Sequence, residues 1–534
     1  MKKIKLLDCT LRDGSYITGS VFGDAAIRGI IGKLENAGVE IIECGWLKND
    51  DYKKGTTYFH VPDDLIQYIG VKDPAKTYVT MIDWDRYDLD YLPVCDGRSI
   101  DAIRVVFPHG KAAEGVKVAS RIKEKGYKVY LQAANTLAYS EDDLKKLAGE
   151  VNELKPEALS VVDTFGAMYP EDMERITETL DKYLNKEIGL GFHSHNNQQL
   201  SFALSMEFAK LLSKTDRECV IDASLCGMGR GAGNTTTELL ASFLNKKYHG
   251  HYNLDAIMDA IDTYMEYYKE KYSWGYSTPY FIAGLYCCHV NNIAYLLNNH
   301  RTNAKDMRNI IESLSEEDRK KYDYDLLEEK YLKNKSYEID DSETVEKLEK
   351  TISDRKVLLV APGKSSLDCI DSIKEFISKE NPIVIGVNSI LEGYTYDYNM
   401  FVNNVRYEYA RNAHAGTFAS NKKIVLSNVE YGENDIVINF RNVIKRGWKY
   451  YDNAMICALR LMERLNVKEV FISGFDGFKH QYNLSYADEH LPSLNPGNTW
   501  DELNEEIKAM YKDFVESNKT GMNCTFLTES IFNK

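Results

Sequence analysis

No stretch of this 534-residue chain is apolar for long enough to cross a bilayer, so no transmembrane segment is expected. Positive charge is in short supply. Against 81 aspartates and glutamates stand 66 lysines and arginines, a formal net charge of -15. Such a surface repels nucleic acids and anionic membranes at long range, which argues against both as broad partners and leaves only a local basic pocket open. The 10 cysteines never fall in a C-x-x-C spacing, and the adjacent Cys287 and Cys288, on what reads as a helix, face different directions. A disulfide framework and a zinc knuckle are therefore unexpected, and reduced thiols in a cytoplasmic protein are the expectation. Internal repeats and low-complexity tracts are also missing.

What is present is an ordinary globular composition, 44% hydrophobic, in a chain too long for one core. Apolar, β-branched runs recur at Ile4–Leu7, Val39–Glu43, Tyr78–Ile82, Ala102–Val106, Tyr127–Leu131, Ala158–Val162, Ile188–Phe192 and Val220–Ala223. Amphipathic stretches such as Ala25–Ala37, Ala113–Glu124, Glu141–Leu154 and Pro170–Leu184 lie between most of them. Eight strands alternating with helices predict an α/β fold, a (β/α)8 TIM barrel over residues 1–250, with a doubly wound open sheet as the alternative. Residues 251–352 read as a helical extension and charged linker. From Lys356 a second set of apolar runs begins, at Val357–Val360, Ile383–Val387, Asn399–Val402, Lys423–Leu426, Glu469–Ile472 and Thr525–Leu527. They predict a Rossmann-like α/β domain over residues 353–534.

The chemistry gathers at the strand ends of the barrel. His193 and His195 are one residue apart at the end of an apolar run, so both side chains leave the same face of a strand and can grip one metal ion. Asp13 follows the first run closely, and parallel strands of one sheet would bring its carboxylate to the two imidazoles. Other strand ends carry Arg12, Tyr16, Glu43, Arg104, Gln132, Asn135, Asp163 and Thr164. Arg104, Gln132, Asn135, Asp163 and Thr164 are candidate substrate contacts, and a polar plug at the barrel mouth is the equal alternative. Glu43 reads as a satisfied buried carboxylate behind the ligands, and Cys226 as core. Residues 227–234, Gly-Met-Gly-Arg-Gly-Ala-Gly-Asn, form a loop whose glycines permit turns other residues resist.

Asp8–Gly14, His193–Asn196 and the 227–234 loop, in that order, resemble the signature motifs of the DRE-TIM metallolyase superfamily over roughly residues 1–300. The stretch 221–229 resembles the 4-hydroxy-2-oxovalerate aldolase branch most closely. HMG-CoA lyase belongs to the same superfamily. The resemblance implies a divalent ion on Asp13, His193 and His195, with Asn234 as a further ligand. Mixed oxygen and imidazole ligation suits Mn²⁺ or Mg²⁺, with Zn²⁺ or Co²⁺ as alternatives. It implies a 2-oxoacid and an aldehyde as substrates, with Arg12 stabilising an enolate oxygen. Where the aldolases carry a histidine after the Arg-Asp-Gly-Ser segment, this chain has Tyr16. Tyr280 is the second tyrosine the resemblance brings to the site as a proton-handling group. An acyl-CoA-dependent Claisen condensation on the same barrel is one alternative. A barrel that has lost its activity and serves as a scaffold is another, and Tyr16 in place of histidine is the feature that supports it.

In the second domain Gly363-Lys364-Ser365 lacks the glycine a Walker loop needs five residues before Gly363, where Leu358 stands. Segments 359–365, 386–388 and 472–478 are similar instead to bacterial sialyltransferase-like Rossmann domains. That similarity implies a nucleotide or nucleotide-sugar pocket at Gly363, Ser365 and Asn388, and a place in surface-glycan synthesis. The sequence leaves open whether the chain forms a homo-oligomer.

Overall fold

Strand β1 (Ile4–Asp8) opens a closed ring of eight parallel strands in a computed structural model that describes residues 4–300, 302–335, 339–479, 485–493 and 500–533. The others are β2 (Ile41–Leu47), β3 (Thr77–Asp83), β4 (Ala102–Phe107), β5 (Lys128–Ala133), β6 (Ala158–Asp163), β7 (Gly189–Ser194) and β8 (Cys219–Ala223). Each pairs with the next, and β8 returns to β1 in register from Ile4↔Cys219 to Asp8↔Ala223. The ring is the (β/α)8 barrel that the eight apolar runs predict. Most of its strand residues are buried, as expected when side chains fill the interior and helices cover the outside.

The covering helices follow from their stripes and caps. In Asp24–Ala37 the buried residues Ile27, Ile30, Ile31 and Leu34 repeat at helical spacing, and Gly38 ends the helix at φ 84°. Glu141–Leu154 starts on Ser140, whose hydroxyl accepts from the Asp143 amide (3.1 Å) while the Asp143 carboxylate accepts from the Ser140 amide (3.0 Å). One strand runs further than its apolar pattern suggests. β2 continues past Glu43 to Leu47 through a register shift. Gly45 sits there at φ 146° and passes so close to Thr57 that a Cβ would lie 2.1 Å from its carbonyl oxygen.

A seven-stranded parallel sheet forms the second domain: β9 (Val357–Val360), β10 (Ile383–Val387), β11 (Tyr398–Phe401), β12 (Lys422–Leu426), β13 (Ile436–Ile438), β14 (Glu469–Ser473) and β15 (Asn523–Phe526). Its spatial order is β13-β12-β11-β10-β9-β14-β15, so the order reverses direction between β9 and β14. β13 has no counterpart among the expected strands. It is a three-residue edge strand, half-buried and preceded by polar residues, and leaves almost no apolar run to read.

The chain divides into two units, Met1–Ile293 with Glu316–Lys321, and Ala294–Ser315 with Tyr322–Lys534. The helices expected as one extension over 251–352 are thus shared between them, and the boundary expected at 352/353 falls inside the second unit. Cys287 and Cys288 also differ from expectation. They lie not on a helix but in the turn between Thr278–Leu285 and Val290–Asn299, with Cys287 at φ 49°. All 10 cysteines are free thiols.

Candidate metal centre

Asp13 ends a one-turn helix, Thr10–Asp13, that leaves β1 directly. The turn is pinned by the buried Asp8 carboxylate, which accepts from the Thr10 amide (2.9 Å) and the Thr237 hydroxyl (2.6 Å). His193 lies in β7 and His195 one step beyond it, on the same face, with ring centroids 5.1 Å apart at 87°. His195 pairs with Asn234 in an isolated bridge that draws the 227–234 loop against the end of β7. One ligand atom each from Asp13, His193 and His195 lies within 4.8 Å of the others, all at the C-terminal end of the barrel strands where this architecture places its reactive groups.

Two further atoms bear on whether a cation fits. The Nδ1 of His195 and the Oδ1 of Asn234 are buried and have no hydrogen-bond partner. Leaving such atoms unsatisfied costs about 1–3 kcal/mol each. The Asn234 amide nitrogen donates to Asp13 and to the Met228 carbonyl (3.2 Å), which fixes its unpaired oxygen on the opposite side of the amide. A carboxylate, two imidazoles and an unpaired amide oxygen are a donor set for a divalent ion of intermediate hardness.

Behind these groups runs a buried chain of alternating charge. Asp13 accepts from Arg12 Nη1 (2.5 Å), and Arg12 Nε donates to Glu43 (2.8 Å). The same Glu43 oxygen accepts from Arg104 Nη1 (2.8 Å), and Arg104 Nη2 donates to Asp222. Asp222 then meets His193 Nδ1 at 3.0 Å. The chain therefore begins on one candidate ligand and ends on another. It holds three carboxylates and two guanidiniums, a surplus of negative charge in a buried site.

Each shift in proton affinity has a cause in this chain. Burial raises the Asp13 carboxyl, but Arg12, His195, His193 and the Asn234 hydrogen bond together outweigh it and hold the group well below the usual carboxylate range. Burial likewise raises Asp222, and Arg104 with the His193 hydrogen bond more than offsets it. Burial pushes His195 down to about 3, against the pull of Asp13, so the ring is neutral with a lone pair available.

The other expected site residues divide into two sets. Arg104, a candidate substrate contact in the sequence reading, is 1% exposed and spends its guanidinium on Glu43 and Asp222; it positions the ligands instead. Gln132 donates to Ser160 inside the barrel (2.9 Å). Asp163 accepts from the Ala167 and Met168 amides and so ties down the loop after β6. The Thr164 hydroxyl accepts from the Asn135 amide (2.6 Å), and Asn135 holds a left-handed φ of 53°. Tyr16 is 45% exposed beside the cluster, with its ring edge-on to Trp46 at 5.9 Å. Burial of its hydroxyl raises its pKa, partly offset by Arg230 and Arg12. Tyr280 is raised by burial too, and its hydroxyl forms no hydrogen bond to the cluster among the described residues. Cys226 is partly buried against the core, and burial raises its thiol to about 11.

Sequence reasoning did not assign a role to Asp222 or single out Arg230. Asp222 carried a signal, a charge inside the apolar run Val220–Ala223. Arg230 lies with its guanidinium 3.6 Å above the Tyr16 ring.

Residues 109–263 match the HMGL-like family. Over 268 residues the chain is 29% identical to the oxaloacetate decarboxylase of Mycobacterium tuberculosis, covering 48% of this chain and 74% of that protein. Over 267 residues it is 27% identical to the 4-hydroxy-2-oxovalerate aldolase of Geobacillus genomosp. 3, covering 48% of this chain and 76% of that one. Among solved structures, the HMG-CoA lyase from Brucella melitensis aligns over 51% of this chain and 100% of its own, at 16% identity and a TM-score of 0.40.

Proposed function

Because the barrel of this chain is an HMGL-like, DRE-TIM domain, we propose that it is a divalent-metal-dependent lyase or aldolase that makes or breaks a carbon–carbon bond next to a 2-oxoacid. The observation that carries this reading is the meeting of Asp13, His193 and His195 within 4.8 Å at the barrel rim. Those three residues would hold the ion, with Asn234 as a proposed further ligand, and a bound ion would supply a Lewis acid for a developing enolate oxygen.

The chain's own groups do the rest. Arg12 is fixed by Asp13 through Nη1 and by Glu43 through Nε, and its Nη2 donates to nothing among the described residues. That nitrogen is a preorganised donor for negative charge on oxygen. The Asp222 carboxylate holds His193 by Nδ1, which turns Nε2 outward. Tyr16, with its raised pKa, suits donating a proton to an alkoxide better than removing one. In the condensing direction C3 of the 2-oxoacid loses a proton and bonds the aldehyde carbon, whose oxygen takes up a proton. Cleavage is the reverse.

Incubating the protein with pyruvate and Mn²⁺ or Mg²⁺ in D₂O, and following the methyl signal by NMR, tests this without knowing the aldehyde. Metal-dependent loss of signal is expected, together with a bound ion in elemental analysis that His193→Ala removes. Arg12→Ala should retain the ion and slow exchange about 10²- to 10³-fold. A metal-free protein without exchange would leave the scaffold reading standing.

For the second domain we propose a pocket for a nucleotide or nucleotide sugar. A cleft opens where the strand order reverses, beyond the ends of β9, β10, β11 and β14, and Gly363, Asn388, Arg406 and Phe475 line it. Ligands of open parallel sheets bind at this position. Ser365 does not line it: its amide (2.9 Å) and hydroxyl both donate to Asp476. A carboxylate already fills that turn, so a phosphate would have to sit nearer Asn388 and Arg406. A thermal-shift screen of nucleotides and nucleotide sugars that raised no melting temperature would end this reading.

A further inference from the structure

Arg230 is placed with unusual constraint for a loop residue. On one side Gly229 touches the candidate centre so closely that a Cβ there would lie 2.6 Å from Asp13 Oδ2 and 2.2 Å from Asn234 Nδ2. On the other, Gly231 adopts φ 68° against Asn197, whose side-chain oxygen accepts from the Ala232 amide (2.9 Å). Asn197 is itself tied to the Phe165 carbonyl (2.9 Å). The backbone at residue 230 is therefore held one step from an Asp13 contact.

The guanidinium lies on the Tyr16 ring at 3.6 Å and approaches His289 Nε2 at 3.4 Å. It forms no ion pair with a carboxylate among the described residues, unlike Arg12 and Arg104 nearby. A planar cation with fork geometry matches carboxylate or phosphate oxygens in pairs. Arg12 already serves the reacting oxygen in the proposed chemistry and is held by Asp13 and Glu43, whereas Arg230 rests on Tyr16. The second arginine thus answers to a second charge on the reactants.

We propose that Arg230 receives an anionic group, a carboxylate or a phosphate, carried by the aldehyde partner of the 2-oxoacid. This rests on the aldolase reading above and gives its unknown substrate a chemical class. Tyr16 acts as the platform: its ring orients the guanidinium, and its hydroxyl would give a proton to the aldehyde oxygen as the new carbon–carbon bond forms.

The test compares aldehydes of matched size in metal- and pyruvate-loaded full-length protein. Succinic semialdehyde is set against butanal, and glyceraldehyde 3-phosphate against glyceraldehyde. Wild type is expected to favour at least one anionic member by kcat/KM, and the pair that shows the preference tells carboxylate from phosphate. In R230Q that preference should fall about 10- to 100-fold, with R230K recovering part of it. Wild-type pyruvate exchange is measured in parallel. Exchange without any anionic preference, or a preference that R230Q leaves intact, overturns the Arg230 assignment alone. Equal losses on charged and neutral aldehydes overturn it too. Absence of exchange overturns the aldolase reading and this assignment together.

Discussion

Asp222 is the residue on which the orientation of the centre turns. It accepts from His193 Nδ1 at 3.0 Å and from Arg104, and it is 2% exposed. Asparagine keeps its size but removes the charge; both partners use Oδ2 while Oδ1 has none, so the charge is what His193 and Arg104 lose. Asp222→Asn should weaken ion binding about 10- to 100-fold, as loss of a partner behind a ligating histidine typically does. Because Arg104 would then be buried with half its pairing gone, the variant should also lose about 3–5 kcal/mol in urea unfolding. Unchanged affinity would show that His193 is held by other contacts. The imidazoles add a pH dependence. Burial lowers both His195 and His289 from 6.5 to about 3. A lowered folded pKa means the unfolded chain takes up protons first as the pH falls. The stability that these rings contribute is therefore full above 6.5 and drains away toward about 3. Asp8 and Asp163, raised to about 6 by burial, oppose this with smaller displacements. Metal-free protein should accordingly unfold at a lower urea concentration at about pH 5 than at about pH 7.5. Equal midpoints would mean that the rings take up protons within the fold.

At the scale of elements, the site depends on a glycine loop meeting a strand end. Gly229→Ala places a methyl group 2.2 Å from Asn234 Nδ2 and 2.6 Å from Asp13 Oδ2, so a ligand or the loop must move. The expected result is loss of bound ion in elemental analysis, with the far-ultraviolet circular dichroism of the barrel unchanged. Gly32→Ala is the control: it lies within the helix Asp24–Ala37 with nothing within 4 Å of its would-be Cβ. It should keep the ion and gain about 0.5–1 kcal/mol. Retention of the ion in Gly229→Ala would mean that the loop approach is dispensable. The same two elements show how far the sequence could be read. His193 and His195 were legible because a strand has a period of two, and Asp13 because it follows an apolar run. Arg104 and Asp222 are 118 residues apart, and only closure of the ring brings them together across its interior. Local patterning cannot report such a pair. Nor could it report where Arg230 lies, because that depends on two glycine contacts rather than on an apolar pattern.

On the scale of the whole molecule, the apolar runs mark where the second sheet begins but not where its unit begins. A sheet starting at Val357 suggests a boundary just before it. Yet Asp341, 3% exposed, accepts from Arg464 Nη1 (2.8 Å) and Nη2 (3.0 Å), from the Asn439 amide (2.9 Å) and from Asn442 (3.1 Å). The buried hydroxyls of Tyr331 and Tyr451 meet at 3.0 Å. The segment before the sheet is highly charged, and reads as solvated connector for that reason. Its buried minority, including Met307, Ile310, Ile311, Leu327 and Tyr331, belongs to the second unit. Cutting at 353 would remove Asp341 and leave Arg464 without its carboxylate, a loss of about 3–5 kcal/mol. It would also strip apolar cover from a unit whose total stability is of order 5–15 kcal/mol. A fragment of residues 294–534 should therefore show a cooperative urea transition, and residues 353–534 should show none or aggregate. If the shorter fragment unfolded at the same midpoint as the longer, Asp341 and the preceding helices would be ornament on an already complete domain, and the boundary suggested by the apolar runs would be the physical one.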